Sequence, residues 1–391
     1  MTAPTPLAGR LTGPTTRRLG WNPALDGIRG IGVIIVMSFH FLGGRYLEGG
    51  PILIDLFFVL SGFLITTLLF EERAAAGSIS FRNFYLRRIF RLFPAMYALL
   101  GVFLVYLVIF GGEHRRQLFD EFLAAALYVY NFLVAITGVE GKVLVHLWTL
   151  SIEEQFYFIW PILLVGALAV AHRGRMRALL GMMAVMVITF PILRMTLWQD
   201  PGSPGDYNIG LGTPSSIVFG FSILRPDSLV IGCVAAMAWR LEPDEPSERM
   251  QRNLRVAGRV ATVMLLMTLG LGAFDLFAPF RSVFYNLTIW ALPFFVLDLV
   301  RRPHTPVARG LSARWALWFG KRSYSIYMWH NLIGFVVAGV MADLMTGRTR
   351  LAVLAAFPIS FALTTGISAL SWNYIETPAL RYKTRFARPD N

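Results

Sequence analysis

The stretch LDGIRGIGVIIVMSFHF (residues 25–41) is almost wholly apolar, yet it contains Asp26, Arg29 and His40. An apolar run of this length is typical of a helix that crosses a lipid bilayer. With 100° between successive helical residues, Arg29 and His40 lie within about 20° of one face, and Asp26 lies within about 40° of it. A polar stripe is therefore predicted along this helix, with Arg29 and His40 about 16 Å apart along the axis.

Ionisable side chains in the bilayer core cost several kcal/mol unless they face the interior of a helix bundle. The stripe is therefore a hypothesis about function. The alternative is that His40 is a packed histidine whose ring nitrogens are satisfied within the core.

The composition of the whole chain also indicates a membrane protein. Of its 391 residues, 55% are hydrophobic and only 15% are charged, whereas soluble domains have about 25% charged residues. The net charge of +13 suits basic cytoplasmic loops better than nucleic-acid binding. The single cysteine, Cys233, gives neither a disulfide nor a zinc site. P-loop, HExxH, CxxC and GxSxG motifs are all absent from the sequence.

Lysine and arginine counts decide how many segments cross the bilayer. The candidate helices are 25–42, 51–70, 92–110, 122–138, 147–170, 178–195, 215–239, 260–277, 283–300, 323–342 and 351–372. If 122–138 does not cross, one side carries 26 of the 36 basic residues and the other side carries 7. Basic residues collect in cytoplasmic loops. This pattern predicts ten spans, both termini in the cytoplasm, and 122–138 as a re-entrant or interfacial segment.

Three carboxylates are expected near the depth of His40. Glu153 and Glu154 lie in HLWTLSIEEQFYFIWP, and Asp55 lies in IDLFFVLSGFLIT. A carboxylate that orients an imidazole makes it a better base toward a hydroxyl. We therefore expect Glu153 or Glu154 to orient His40. The alternative for all three acids is hydrogen bonding between helices.

Arginines cluster at the cytoplasmic start of the third span, in FRNFYLRRIFRLFP. Arg87, Arg88 and Arg91 share roughly one helical face. Guanidinium groups suit phosphates, which indicates a phosphate site. The alternative is a topology signal with snorkelling side chains.

Other charged residues have simpler interpretations. In LRPDSLVIG, Arg225 and Asp227 could neutralise each other, and Arg225 could also reach the polar stripe. His330, in SYSIYMWH, is better explained by packing than by an aromatic-lined cavity. Glu376, in WNYIETP, is available to a nearby arginine.

Taken together, these stretches resemble the acyltransferase-3 family of integral membrane acyltransferases. The resemblance rests on LDGIRGIGVIIVMSFH, DLFFVLSGFLIT, RRIFRLFP, HLWTLSIEEQFYFIWP, LRPDSLVIG, SYSIYMWH and YIETP, which occur in family order over residues 25 to 378. It implies ten transmembrane helices and transfer of a short acyl group from acyl-CoA to a carbohydrate or glycoside hydroxyl.

The family's motifs fall on particular residues of this chain. The arginine-to-histidine signature falls on Arg29 and His40. The basic motif falls on Arg88 and Arg91, and the Ser-x-Glu-Glu motif runs from Ser151 to Glu154. Thr149 stands where serine is usual, which keeps a hydroxyl. The resemblance is to the stand-alone type without a fused SGNH-hydrolase domain, which includes macrolide O-acyltransferases and polysaccharide O-acetylases.

The sequence thus predicts an all-α polytopic membrane bundle in the inner (plasma) membrane. A cytoplasmic tail (1–24) precedes the transmembrane acyltransferase domain (25–374), and a basic tail (375–391) follows it. The predicted catalytic residues are His40, Glu153 and Glu154. The predicted substrate-binding residues are Arg29, Arg87, Arg88, Arg91, Asp55, Ser151 and Arg225.

The expected partners are acyl-CoA as the donor, a glycan or glycoside acceptor such as a macrolide, and the lipid bilayer. We expect no nucleic-acid partner, no bound cofactor and no metal. Two alternatives remain at this stage. One is a multi-pass exporter with an intramembrane proton relay, and the other is a membrane subunit that binds but does not catalyse.

Overall fold

The structure, a computed structural model, describes residues 11, 18–42, 47, 49–137, 143–168, 173–197, 225–271, 281–345, 349–383 and 386. It is 88% helical, with no strand in the described part of the chain. The helices are α1 (Pro23–Phe41), α2 (Ile52–Ala76), α3 (Phe81–Phe110), α4 (Arg115–Ala126), α5 (Tyr130–Thr137), α6 (Leu147–Leu168), α7 (Arg173–Leu197), α8 (Pro226–Leu241), α9 (Glu248–Leu271), α10 (Arg281–Arg301), α11 (Pro306–Leu311), α12 (Arg314–Lys321), α13 (Ser323–Leu344), α14 (Thr349–Ser371) and α15 (Thr377–Lys383).

Seven helices within the described ranges are long and apolar enough to cross a membrane. These segments are Pro23–Phe41, Ile52–Ala76, Phe81–Phe110, Arg175–Leu193, Val283–Arg301, Ser323–Leu344 and Leu351–Tyr382. The all-α polytopic membrane fold is therefore confirmed. The count of ten spans and the cytoplasmic termini stay predictions, and the predicted span 215–239 lies partly outside the described residues.

The segment 122–138 is broken into two pieces. α4 ends at Ala126, Tyr128 has a positive φ of 54°, and α5 has only 8 residues. A helix of that length extends about 12 Å, far less than the bilayer core of about 30 Å. The side chains of Asn131 and Gln155 exchange two hydrogen bonds, at 3.2 and 2.9 Å. This break agrees with the prediction that the segment does not cross.

The last helix continues beyond its predicted end. A π-helical turn, Trp372–Glu376, joins α14 directly to α15. Glu376 is buried, and its Oε1 accepts hydrogen bonds from the hydroxyls of Ser325 and Ser371. The predicted tail 375–391 therefore begins inside a helix, because Glu376 is held against α13 rather than released into solvent.

The helix that carries the polar stripe has a well-defined start. Asn22 Oδ1 accepts a hydrogen bond from the backbone N–H of Ala24 at 3.0 Å, and Pro23 occupies the first helical position. Asparagine is a favoured N-cap, and proline has no N–H to leave unsatisfied there.

Glycines let the helices around the stripe pack closely. A Cβ atom on Gly30 would lie 2.1 Å from the backbone oxygen of Ala316, and one on Gly320 would lie 2.0 Å from that of Asp26. Small residues allow this kind of close approach between membrane helices. α1 is thereby fixed against α12, which leads directly into α13.

Candidate active site

Two adjoining cavities lie beside Asp26 and Arg29 of the stripe, and His40 lines neither of them. The inner cavity, of about 190 Å³, is lined by the charged residues Asp26, Arg29, Arg91, Lys321 and Glu376. The central cavity, of about 120 Å³, shares Arg29, Arg91, Ser323 and Tyr324 with it. The structure thus brings Arg29 of α1 and Arg91 of α3 together in the lining of both cavities.

One end of the central cavity is cationic. Arg29, Arg88 and Arg91 line it together with Glu153. The Arg88 guanidinium stacks over the Tyr157 ring, 4.1 Å from the ring centroid. Three guanidinium groups facing one carboxylate leave an excess of positive charge, which suits an anionic ligand.

The remainder of the central cavity is largely apolar. Its apolar lining comprises Val33, Ile54, Phe57, Phe58, Leu92 and Leu150. On α1, Val33 lies one turn beyond Arg29. On α6, Thr149 lies eight residues before Tyr157, a distance of about 12 Å along the helix axis. The cavity therefore changes along its length from cationic, near Tyr157, to apolar, near Thr149.

At the apolar end of the central cavity, two hydroxyl groups of the lining lie within hydrogen-bond distance of each other. Thr149 Oγ1 and Tyr327 Oη are 2.7 Å apart, and Tyr327 Oη donates to the backbone oxygen of His146 at 2.8 Å. Both side chains line the cavity. The hydroxyl that Thr149 keeps in place of serine therefore takes part in this contact.

Three histidine rings pack together next to Tyr327. The ring centroids of His40 and His330 are 4.9 Å apart, as are those of His146 and His330. Tyr327 contacts two of these rings, with its centroid 5.3 Å from His330 and 5.4 Å from His146. We call His40, His146 and His330 the histidine cluster. It does not form a metal-binding arrangement, and none was found within the described ranges.

Backbone carbonyls assign the tautomers of these imidazoles, because a carbonyl oxygen can only accept a hydrogen bond. His40 Nδ1 is 2.9 Å from the oxygen of Val36, and His330 Nδ1 is 2.7 Å from that of Tyr327. Both Nδ1 atoms therefore carry hydrogen, and a neutral His330 presents an unprotonated Nε2. That nitrogen lies 3.2 Å from His40 Nδ1. A neutral His40 then has its free lone pair on Nε2, the form that can act as a base.

The expected pairing of His40 with a glutamate is wrong. No hydrogen bond among the described residues joins His40 to Glu153 or Glu154. Glu153 Oε1 instead accepts from the hydroxyls of Ser61 and Tyr157, the latter at 2.8 Å. Glu154 Oε1 is buried and has no hydrogen-bond partner in the described part of the chain. Helical spacing gave the face of each glutamate but not which neighbouring helix it meets, so the catalytic roles of both stay predictions.

Asp55 and Arg225, both predicted to bind substrate, form an ion pair with each other. Asp55 is fully buried and also accepts hydrogen bonds from Ser228 Oγ at 2.8 Å and from Tyr285 Oη at 2.6 Å. Neither member of the pair lines the two cavities. Asp55 is thus neutralised by Arg225 and has no hydrogen bond to His40 among the described residues, and the substrate-binding roles of Asp55 and Arg225 stay predictions. The geometry favours a packing role for both.

Ser151 and Arg87 are also engaged elsewhere. Ser151 Oγ donates to the backbone oxygen of Leu147 and accepts from the backbone N–H of Tyr130, which anchors the start of α5. Arg87 forms an ion pair with Glu72 at 2.6 Å and donates to the backbone oxygen of Phe386 at 2.9 Å. Arg87 thus faces away from the surface that holds Arg88 and Arg91.

Sequence reasoning missed several residues of this site. His146 and Tyr327 were not singled out, and His330 was interpreted as packing. Lys321, which lines the inner cavity, was counted only as a topology signal. SYSIYMWH contained the clue, because Tyr327 and His330 lie three residues apart and share a helical face.

Comparison with known proteins shows which family and which relatives this chain resembles. A profile of a family described as an acyltransferase domain matches residues 22–372. The peptidoglycan O-acetyltransferase OatA of Listeria monocytogenes is 30% identical over 367 residues, which cover 91% of this chain and 55% of that protein. The O-acetyltransferase OatA of Staphylococcus aureus (strain NCTC 8325 / PS 47) is 30% identical over 368 residues, which cover 91% of this chain and 57% of OatA.

The chain thus spans about half the length of the curated relatives it matches. No solved structure matches it. The family match extends over most of the chain and includes every residue of the two stretches that line the cationic end of the cavity, α1 and α3. This multi-pass membrane protein therefore belongs to the acyltransferase-3 family.

Proposed function

We propose that the protein is an O-acyltransferase that moves a short acyl group from acyl-CoA to a hydroxyl of a glycan or glycoside. The observation that carries this proposal is the central cavity, which is cationic at one end and apolar at the other, and whose lining residue Tyr327 contacts the histidine cluster through His330 and His146. Family membership supports the same reaction class. The inner membrane is the location this proposal implies.

The cation distribution supports a phosphate-bearing donor. Arg91 and Arg29 line both cavities, and Lys321 adds a third cation at the inner one. Guanidinium groups bind phosphate oxygens through paired hydrogen bonds. A cavity of 120 Å³ corresponds to about four waters at a liquid share of about 30 Å³ each, so it suits a narrow arm and a small acyl group rather than a nucleotide. The nucleotide phosphates would therefore stay near the inner cavity.

The apolar end supports a short acyl chain. An acyl group placed among Val33, Phe57 and Leu150 would be shielded from water, and its carbonyl would lie near the Thr149 and Tyr327 hydroxyls. Tyr327 also contacts the histidine cluster. The donor thioester and the imidazole would thus approach the same place from opposite sides.

In the chemical step, His40 Nε2 takes the proton of the acceptor hydroxyl while the oxygen attacks the thioester carbonyl. The carbon–sulfur bond then breaks, and the leaving CoA thiolate takes that proton from the His40 imidazolium, which returns the ring to its neutral form. An alternative uses Nε2 as the nucleophile, so that an acyl-histidine forms first and is then cleaved by the hydroxyl. Both routes consume one acyl-CoA and release one CoA for each ester formed.

The acceptor class follows from the relatives. The Listeria protein is named a peptidoglycan O-acetyltransferase, so a glycan hydroxyl is the first acceptor to test. A glycosylated natural product such as a macrolide presents the same sugar hydroxyl, and it is the second.

The test uses membranes that contain the protein. Acetyl-, propionyl- and isovaleryl-CoA are each incubated with peptidoglycan fragments, polysaccharide or macrolide glycosides, and free thiol is measured. The proposal expects CoA release that depends on one acceptor class, with an acyl ester on that acceptor detected by mass spectrometry. Acceptor movement across the membrane without any ester would instead favour the exporter.

A further inference from the structure

The geometry points to His330 as the residue that positions His40 for catalysis, in the place where a carboxylate was expected. This inference rests on the proposed function. His330 accepts the Nδ1–H of His40 and so keeps the reactive lone pair on Nε2 and fixes the plane of the ring. His330 is a positioning residue, because it acts through His40 and not on the substrate.

The contacts of His330 are compatible with only one neutral tautomer of its imidazole ring. Its Nδ1 lies 2.7 Å from the backbone oxygen of Tyr327, so this nitrogen must donate. Its Nε2 must then be the acceptor, and that atom lies 3.2 Å from His40 Nδ1. His330 is 1% exposed, so water cannot easily replace this bond. The orientation of His330 is therefore imposed by its own helix.

The other contact of His40 Nδ1, with the backbone oxygen of Val36, orients the ring less firmly than the contact with His330 does. The oxygen of Val36 lies one turn earlier on the same helix, 2.9 Å from His40 Nδ1. That oxygen is the usual acceptor of a backbone N–H within α1, so the imidazole shares it. His330 approaches from α13 and supplies an acceptor from outside the helix. In serine-hydrolase triads the same task falls to a carboxylate that holds the Nδ1–H of the catalytic histidine.

Two substitutions separate positioning from simple packing. The amide oxygen of glutamine can reach the place of His330 Nε2, so His330→Gln keeps an acceptor for His40. The amide nitrogen of asparagine can reach the place of Nδ1, so His330→Asn keeps the donor to Tyr327 but removes the acceptor from α13 and leaves His40 Nδ1–H with the Val36 oxygen. A positioning role expects glutamine to preserve both activity and the Nδ1-protonated form of His40 better than asparagine does. A packing role also favours glutamine, which is closer to histidine in volume, but it expects the same His40 tautomer in both variants.

The kinetic test uses the acceptor-dependent CoA release of the full-length protein in membranes. We expect His330→Asn to lower kcat at least about tenfold, the usual effect of losing such an outer partner, with KM for acyl-CoA within about twofold. His330→Gln should keep at least about one third of kcat. His114→Gln is the matched control, because His114 is exposed and lies outside the histidine cluster. Its kcat should stay within about threefold of wild type.

A spectroscopic test needs no activity. The chain has six histidines, so the ¹⁵N spectrum of the ¹⁵N-histidine-labelled protein in detergent is simple, and loss of a signal in His40→Ala assigns His40. We expect His40 in wild type to be protonated on Nδ1 and unprotonated on Nε2. In His330→Asn we expect a minor form protonated on Nε2 to appear, because the Val36 oxygen on the same helix is left to hold the Nδ1–H.

The outcomes distinguish the two proposals. If wild type forms the ester but His330→Asn is as active as wild type, or more active than His330→Gln, positioning by His330 is wrong while the acyltransferase proposal stands. An unprotonated Nδ1 on wild-type His40 also overturns it. If wild type forms no ester while the tautomer is as expected, the proposed function fails and the assignment of the imidazole pair survives.

Discussion

At the scale of single residues, Arg87 and Arg91 are one helical turn apart and have different surroundings. Arg91 lines both cavities, whereas Arg87 pairs with Glu72 and the backbone of Phe386. A hydrogen bond to a charged group contributes about 1.5–3 kcal/mol. We therefore expect Arg91→Gln to raise the KM for acyl-CoA by about 10- to 100-fold, and Arg87→Gln to change it less than about threefold. Steady-state kinetics at saturating acceptor would measure this, and equal increases for both variants would contradict the assignment.

Phe57 is expected to limit the length of the acyl chain. Its ring lines the apolar end of the central cavity and lies against Gly32, where an added Cβ would be 2.6 Å from the ring. Phe57→Ala should enlarge the cavity and raise kcat/KM for isovaleryl-CoA relative to acetyl-CoA at least about fivefold, which is about 1 kcal/mol. Gly32→Ala should push the ring inward and shift the ratio the other way. A ratio that neither variant changes would place the acyl chain elsewhere.

Sequence spacing predicts which residues share a face of one helix, but it did not predict the contacts between helices. The 3.6-residue period predicts that Arg29 and His40 share a face of α1, a prediction that needs only the geometry of one helix, and the structure places both in that helix. The partner of His40 is 290 residues away, at His330. Such a pairing depends on how α13 packs against α1, which helical spacing does not encode. The same reason explains why Asp55 was not matched with Arg225.

At the scale of helices, α2 and α8 are held together by a reciprocal glycine contact. A Cβ atom on Gly62 would lie 1.9 Å from the oxygen of Leu229, and one on Gly232 would lie 2.1 Å from that of Val59. Overpacking of this kind costs about 1–3 kcal/mol. Gly62→Ala should therefore lower the thermal unfolding midpoint in detergent.

Gly101 is the matched control for that substitution. It lies within α3, and a Cβ atom placed on it meets nothing within 4 Å. Alanine is also the better helix former by about 1 kcal/mol, so Gly101→Ala should leave the midpoint unchanged or raise it. Equal midpoints for the two variants would show that the α2–α8 contact is looser than described.

Helix existence was predictable, but helix ends were less so. The apolar runs predicted most long helices because each must satisfy its backbone within the bilayer. The continuation of α14 through the π-helical turn into α15 was not predicted. It depends on the buried hydrogen bonds of Glu376 to Ser325 and Ser371, and the contact with Ser325 forms only after α13 has packed.

At the scale of the whole molecule, the distribution of basic residues predicts both termini in the cytoplasm. Alkaline phosphatase fused after residue 391 should be inactive, since it folds only outside, while a green fluorescent protein at the same place should fluoresce. Fusions in the loop between α3 and α6, near residue 140, should show the reverse. An active phosphatase at the C-terminus would contradict the ten-span arrangement.

The central claim is that His40 performs acyl transfer beside a cavity that receives acyl-CoA. The most direct measurement compares wild type, His40→Ala and His114→Ala in membranes matched for protein level, following release of CoA and formation of the acyl ester. His114 is the control because it is exposed and lies outside the cluster. We expect wild type and His114→Ala to be equally active and His40→Ala to lose at least about 100-fold. Full activity in His40→Ala would contradict the account.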